Sequence, residues 1–314
     1  MAAARKHHYI PRFFLAGFTN EGTKDGRLLV CDLNAGKRWW SDPNGAGHQR
    51  DFYRIDLEGY DSLDVERAFQ DIEDAAAPAL RRLIGTEEPP PFDETASDVL
   101  PLLASLVIRV PTSRRGIEWA SERVVRATIP KALPKFPKPP HIIHSRLFGH
   151  LPPGVDPSPE EYEATMLKFF EDEVRIEIDQ TWSIAHMLSR FDFVLKKLAE
   201  LYWTVAVLPP GTPDFVCSDN PMSFRGAVSS GVSAIIALSR RVATVGSVYE
   251  PERPVIRTDA RFAGLVNALT IGSAERYVFS ASDQIHWKKS DGTFGDISDL
   301  PRRGDADPES EPAR

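Results

Sequence analysis

Nine of the chain's 26 prolines lie between residues 130 and 159, and this stretch constrains the fold more than any other. Proline fixes one backbone torsion and lacks the amide hydrogen that helices and central strands require. The stretch therefore excludes a regular helix or an interior strand and predicts an extended connector. We expect it to separate an N-terminal strand and helix region, residues 1–129, from residues 160–300, a helix and sheet region that packs with the first as one unit.

The residues before the connector change from a strand pattern to a helical pattern. Leu28–Cys31 is a short apolar run between turn residues, and Lys37–Trp40 is its expected hairpin partner. From Leu63 to Ile84 apolar residues recur every three or four positions, which predicts an amphipathic helix. A nearly all-apolar, buried helix is expected over residues 97–109, and a third helix over residues 112–128.

The residues after the connector are helical first and strand-like later. Helical spacing runs from Ser158 to Leu201, with one expected break near Asp179. Another helix is predicted over residues 259–273. Short apolar runs predict strands at residues 203–208, 215–217, 234–238, 243–248 and 277–280.

This order of elements predicts an α+β fold, because strands lie at both ends of the chain and helices in its middle. We expect an N-terminal hairpin, a central helical bundle and a C-terminal antiparallel or mixed sheet of short strands. The charged, proline-bearing residues 301–314 are predicted to form a disordered tail.

Composition narrows the class of protein. With 42% hydrophobic and 26% charged residues the chain is typical of a globular protein, and no apolar run reaches the length of a membrane span. No apolar segment follows Arg5 and Lys6, so we expect no secretory signal and a cytoplasmic location. Cys31 and Cys217 each lie in an apolar run, which favours two buried thiols over a disulfide.

The charge of the chain bears on its partners. A net charge of −7 argues against a general basic surface for duplex nucleic acid. Basic residues do concentrate at 109–126 and 131–146, which leaves two interpretations open: a local basic strip or a solvated helix face.

Several common catalytic motifs are absent from the sequence. The chain contains no glycine loop for nucleotide phosphates, no dinucleotide-binding glycine turn, no Cys-x-x-Cys, no His-Glu-x-x-His and no Gly-x-Ser-x-Gly. Nucleotide-driven and nicotinamide chemistry are therefore not expected, and candidate sites must come from less regular groupings of polar residues.

The first such grouping is the pair His7 and His8. Adjacent side chains in an extended segment point to opposite sides, so the pair is a poor metal chelate and only one ring faces a given site. We expect His8 to face the Leu63–Ile84 helix, while the aromatic residues from Tyr9 to Phe18 fix the segment to the core. A buried structural histidine is the alternative.

The second grouping is Glu66 and Glu73, two turns apart at the margin of the apolar stripe. Carboxylates at such a margin are partly desolvated and favour a cation or an arginine, and Arg109 is the natural partner. Two interpretations stay open: a site for a divalent metal and a phosphate, or a buried ion-pair network that orients two helices.

The third grouping is Ser218-Asp219-Asn220-Pro221, directly after a short apolar strand. Functional groups often lie at strand ends, but Asp and Asn before Pro are also common in ordinary turns.

The order of these segments resembles the bacterial domain of unknown function family numbered 4238. His7–Phe18 is similar to the segment with which its members begin, and the resemblance extends to about Ser280. Shorter similarities follow in order at Asp51–Tyr53, Glu66, Ile72–Glu73, Arg109 with Pro111, and Ser218–Pro221. One departure is Ser105–Ile108, where members often carry a glutamine.

The resemblance implies that five residues are the family's recurrent polar positions: His8, Glu66, Glu73, Arg109 and Asp219. Acids and a histidine for metal binding or proton transfer, with an arginine for charge stabilisation, are what hydrolysis of a phosphate ester requires. Our leading hypothesis is a metal-dependent phosphoesterase, most plausibly a nuclease. In it Glu66, Glu73 and Asp219 bind Mg, Mn or Zn.

In this hypothesis His8 is a base or ligand, Arg109 stabilises the phosphate, and the partner is a phosphate-containing substrate or nucleic acid. The alternative is a non-catalytic sensor or partner-binding protein, in which the same residues form a structural network. A third hypothesis is metal-independent acid and base catalysis by His8 and Glu73.

Overall fold

A computed structural model of the chain describes residues 6–55, 58–59, 61–86, 88–132, 147, 157–225 and 233–303. The helices in these ranges are α1 Arg12–Ala16, α2 Asp64–Ile84, α3 Ala96–Ile108, α4 Pro111–Ala132, α5 Pro159–Asp172, α6 Gln180–Ser189, α7 Phe191–Ala199 and α8 Ala260–Ser273. The strands are β1 Lys6–His8, β2 Leu28–Asp32, β3 Lys37–Ser41, β4 His48–Arg50, β5 Tyr202–Val207, β6 Cys217–Ser218, β7 Met222–Arg225, β8 Ser233–Ala237, β9 Val242–Ser247, β10 Val255–Arg257, β11 Tyr277–Ser280, β12 Trp287–Lys288 and β13 Phe294–Gly295. Most of the predicted proline-rich connector and of the predicted C-terminal tail lies outside the described residues.

The chain divides into two compact units. One comprises residues 1–114 and 184–314, and the other comprises residues 115–183. The boundaries fall inside the helices Pro111–Ala132 and Gln180–Ser189. Every residue of the candidate site described below belongs to the first unit.

A four-stranded antiparallel sheet joins the two ends of the chain within the first unit. Its strand order is β3-β2-β11-β6, so the N-terminal hairpin pairs with β11 through Val30 and Phe279. One face of this sheet packs on the helix Ala260–Ser273, where Cys31, Val278 and Ile271 are buried together. The predicted hairpin is confirmed, and its pairing with C-terminal strands comes from the tertiary structure.

A second sheet has five strands in the order β10-β5-β9-β8-β7. Its neighbouring strands pair in antiparallel fashion, except that β10 runs parallel to β5. Helices and strands in these arrangements confirm the α+β fold class, with a mixed C-terminal sheet. β7 and β10 are strands that the sequence pattern missed.

The helices of the first half agree with the sequence pattern except at their ends. α2 spans residues 64–84 and packs on α3, and Val65, Phe69 and its other apolar stripe residues are largely buried. α3 begins at Ala96, earlier than predicted, so Pro101 lies in the helix interior and not in the first turn. Arg109 follows directly as the C-cap residue of α3.

The second half has one more helix break than predicted. The predicted helical stretch from Ser158 to Leu201 is divided near Asp179, as expected, and again at Arg190. Both cysteines are free and buried, as predicted. Within the described ranges no single helix is long and apolar enough to cross a membrane.

Candidate active site

A cleft of about 470 Å³ opens between the N-terminal segment and helix α2. Four stretches of chain and one face of α2 form its walls, and Arg109 contributes from the end of α3. The lining residues are His8, Arg12, Phe13, Lys24, Pro43, Asn44, Tyr53, Glu66, Phe69, Gln70, Glu73, Asp74, Ala77 and Arg109. Four of the five predicted site residues therefore lie around one cleft: His8, Glu66, Glu73 and Arg109.

Helix α2 presents its polar side to the cleft because of its periodicity. Glu66, Gln70, Glu73, Asp74 and Ala77 follow one another at spacings of three, four or one residue and so share one side of the helix. The opposite side buries the apolar stripe against α3. The two glutamates, which we predicted at the margin of the apolar stripe, thus lie in the wall of the cleft.

Arg109 is the most buried charge of the cleft. Its side chain is 1% exposed, and its Nη1 donates to Oε1 of Glu73 at 2.7 Å. The guanidinium also lies over the ring of Phe69, with 5.2 Å from Cζ to the ring centroid. The predicted partnership of Arg109 with the acidic helix is present, and it runs through Glu73.

Tyr53 connects the N-terminal segment to Arg109. Burial raises the pKa of Tyr53, so its hydroxyl stays protonated and donates to the Arg109 carbonyl oxygen at 3.2 Å. Its backbone N–H donates to Nδ1 of His7 at 2.8 Å, and the two rings stack at 5.7 Å between centroids. Since Nδ1 of His7 accepts a hydrogen bond, the ring proton of the neutral form lies on Nε2.

The histidine that approaches the acidic helix most directly is His7, where we expected His8. Nε2 of His7 lies 3.8 Å from Oε2 of Glu66. His8, on the other side of the strand, lines the cleft and lies edge-to-face against His48 at 5.4 Å between centroids. His8 and His48 are directly opposed in the β1–β4 pair.

The surroundings of His8 disfavour its charged form. Burial, the neighbouring His48 and the positive charge of Arg12 lower the pKa of His8 to about 4. Its Nε2 is buried and has no hydrogen-bond partner among the described residues. At neutral pH the cleft therefore contains an uncharged imidazole, the form in which histidine binds metals or accepts a proton.

The cleft is open to water. Glu66 is 42% exposed, and Gln70 and Asp74 are also exposed, whereas Arg109 lies at the bottom. Exposed Arg12 and Lys24 place positive charge at the rim opposite the acids of α2. A site with a buried cation, an accessible carboxylate and mixed charges at its mouth can bind an anionic ligand and act on it.

Asp219 lies elsewhere and does not line this cleft. Its carboxylate accepts hydrogen bonds from the backbone N–H groups of Glu275, Arg276 and Tyr277, at 2.8, 2.8 and 2.9 Å. Burial raises the pKa of Asp219 to about 6, against the opposing effect of these three bonds. The ordinary turn interpretation of this segment matches these contacts, since Asp219 joins β6 to the chain entering β11.

The three acids predicted to share a metal ion are therefore not brought together. Glu66 and Glu73 line the cleft, and Asp219 is engaged by backbone donors away from it. Within the ranges that the structure describes, no group of three or more His, Cys, Asp and Glu side chains is arranged to hold a metal ion.

Several cleft residues were missed by sequence reasoning. Gln70 and Asp74 carried a usable signal, because they follow Glu66 by four and eight positions on the same helix face. Arg12 and Tyr53 lie inside segments that resemble the family, but nothing there marked them as site residues. Lys24 lies in a loop, and no sequence pattern indicated that its side chain would reach the rim of the cleft.

Comparison with known proteins identifies a family. The family model described as a protein of unknown function, DUF4238, matches residues 6–284. No curated protein and no solved structure is significantly similar to the chain. The matched range includes every residue that lines the cleft.

Proposed function

The chain belongs to the DUF4238 family, and from the cleft that its matched residues form we propose that it is a phosphoesterase, with nucleic acid among its substrates. One observation carries the proposal. His8, Glu66, Glu73 and Arg109 are distant in sequence and meet around a single cleft open to water. A purely structural ion-pair network has no need of an accessible carboxylate or of an opening of this size.

Each residue has a role that its surroundings support. Arg109, held by Glu73, stabilises the negative charge of the phosphate at the bottom of the cleft. Glu66 is the accessible carboxylate and can bind a divalent ion or activate water. His8 is uncharged at neutral pH and can act as a ligand or proton acceptor beside it.

A divalent metal is part of the proposal. Mg²⁺ commonly binds one or two protein carboxylates together with substrate phosphate oxygens, so a complete cage of protein ligands is not required. The Glu66 side chain is 42% exposed at the cleft, and exposed Asp74 lies two turns further along the same face. Glu66 and Asp74 would hold such an ion, which would supply Lewis-acid polarisation of a phosphoryl oxygen.

The test is hydrolysis of aryl phosphate mono- and diesters and of short single- and double-stranded nucleic acids, with Mg²⁺, Mn²⁺, Zn²⁺ or chelator. We expect metal-dependent turnover that falls at least about 100-fold in Glu66→Gln, because a group in acid, base or metal chemistry contributes on that scale. Asp71→Asn is the matched control, since Asp71 is an exposed acid of the same helix that does not line the cleft.

Two results would contradict the proposal. One is the absence of hydrolysis with every metal, combined with no metal-induced shift of the melting temperature. The other is equal loss of activity in Glu66→Gln and Asp71→Asn. Turnover that persists in chelator and depends on Glu73 would instead favour metal-independent acid and base catalysis.

A non-catalytic sensor is the second candidate. The observation that favours it is that Tyr53 contacts three parts of the site. It bonds to His7 and to the backbone of Arg109, and its ring packs on Phe69. Such a network can transmit ligand binding at the cleft to the fold without any chemistry. Ligand binding that raises the melting temperature with no turnover of any substrate would support this function.

A further inference from the structure

The guanidinium of Arg109 has donors that the protein leaves unused. Nη1 is paired with Glu73, while Nε and Nη2 are buried and have no hydrogen-bond partner in the described part of the chain. Leaving buried charged donors without acceptors costs on the order of 1–3 kcal/mol or more. A ligand that supplies the missing acceptors recovers this cost.

The two free nitrogens form one edge of the guanidinium. Nε–H and one N–H of Nη2 point in parallel, which is the side-on fork that accepts two oxygens of a single anion. Glu73 occupies the other side at Nη1, and Phe69 lies across the face of the group at 5.2 Å. The fork is thereby held in one orientation before any ligand arrives.

Building on the proposed phosphoesterase function, we infer that the cleft binds the terminal phosphate of a small phosphomonoester, with two phosphate oxygens on Nε and Nη2 of Arg109. Because Arg109 is buried, it favours a phosphate at the end of a ligand over one in its interior. A phosphate in the interior of a nucleic acid carries substituents on two sides, and both would have to reach a group that is 1% exposed. A terminal phosphate carries one substituent, which can extend toward the opening.

The size and charge of the cleft agree with this ligand class. A volume of about 470 Å³ is in the range that holds small organic ligands. Arg12 and Lys24 at the rim, together with Arg109, offset the negative charges of Glu66, Glu73 and Asp74, so an anion can approach the bottom of the cleft. Nucleic acid remains a substrate of this site only through an end that bears a phosphate.

The test measures binding of inorganic phosphate by calorimetry at constant ionic strength, with acetate and dimethyl phosphate as the carboxylate and diester probes. We expect phosphate to bind more tightly than either probe. In Arg109→Lys, which keeps the charge beside Glu73 but lacks the fork, phosphate affinity should fall roughly tenfold to a hundredfold. Equal binding of acetate or dimethyl phosphate, or unchanged binding in Arg109→Lys, overturns the inference.

Two further measurements keep the test decisive if Arg109→Lys does not fold. In the ¹⁵N-labelled wild-type chain, phosphate should shift a slowly exchanging arginine Nε–H resonance, and the absence of any such shift overturns the inference. Arg12→Gln should weaken phosphate binding by roughly threefold or more, as expected for loss of a partly exposed charge contact. Arg261→Gln should leave phosphate binding unchanged, because Arg261 is exposed and is not among the lining residues.

The outcome separates this inference from the proposed function. Phosphate binding at Arg109 without turnover of any ester contradicts the phosphoesterase and leaves the binding site in place. Turnover of internal diesters that is indifferent to Arg109→Lys supports the phosphoesterase and contradicts the terminal phosphate site.

Discussion

At the scale of single residues, burial and hydrogen-bond partners separate functional from structural groups of the same chemical type. Glu66, Glu73 and Asp219 are all acids within the range that the family model matches. Glu66 is 42% exposed at the cleft, Glu73 is paired with Arg109, and Asp219 is 2% exposed and receives three backbone donors. Of the three, Glu66 has the most accessible carboxylate, and its contact with Nε2 of His7 is long, at 3.8 Å.

The contacts of Asp219 lead to a stability prediction. Asp219→Ala leaves three partly buried N–H groups without acceptors and should reduce the free energy of unfolding by about 3 kcal/mol, whereas Asp219→Asn keeps one acceptor oxygen and should cost about half as much. Urea denaturation measures both. An Asp219→Ala chain as stable as the wild type, with altered metal binding, would return Asp219 to the list of metal ligands.

At the scale of elements, the wall of the cleft depends on a tight turn in the loop before β4. Gly47 has a φ of +63°, in the left-handed region that favours glycine, and its carbonyl oxygen accepts the N–H groups of Tyr9 and Ile10. A Cβ at this position would lie 2.9 Å from Cδ1 of Leu15. The loop and the N-terminal segment are therefore held together at a point where only hydrogen fits.

Substitution at this turn should be costly. Gly47→Ala combines a left-handed alanine with a steric clash, and we expect a loss of about 2–4 kcal/mol in the free energy of unfolding. Gly22→Ala is the matched control, because Gly22 has a φ of +69° but open space around it, and should cost only about 1 kcal/mol. Equal losses in thermal or urea unfolding would show that crowding at Gly47 contributes nothing.

At the scale of the whole molecule, the N-terminal segment, the α2 wall and the strands of the C-terminal half belong to one compact unit. His8 is half-buried in it, and its pKa is lowered to about 4 from the ordinary value of 6.5. As pH falls below 6.5 the unfolded chain binds the proton first, so the stability associated with neutral His8 is lost between pH 6.5 and about 4.

The pH dependence can be measured by comparison with a variant. Between pH 6.5 and pH 4, His8→Gln should lose roughly 1–2 kcal/mol less stability than the wild type, a figure that allows for the part of the ring that solvent screens. His186→Gln is the control, since His186 is exposed. If the free energy of unfolding fell equally with pH in the wild type and in His8→Gln, the lowered pKa of His8 would be contradicted.

Local sequence patterns were sufficient to predict the helices and strands that depend on interactions between residues close in sequence. The β2–β3 hairpin, the helix α2 and its acidic margin follow from alternation, turn residues and helical spacing, which a single sequence displays. The partnership of Arg109 with a margin glutamate was also predictable, because a charge at the end of an apolar helix requires a counter-charge. β7 and β10 were not, since strands of three or four residues carry little periodicity.

Long-range placement was decided only by the tertiary structure. The pairing of β2 with β11 joins residues almost 250 positions apart. The pairing of β6 with β11 placed Asp219 beside the chain entering β11, and Asp219 does not line the cleft of the glutamates. His7, not His8, contacts Glu66 because its side of β1 faces the helix. A shift of β1 by one residue in register would exchange the sides of the two histidines. The sequence by itself thus determined which residues are polar, charged and helical. Packing decided which of them share the cleft, because burial depends on contacts that neighbouring residues do not specify.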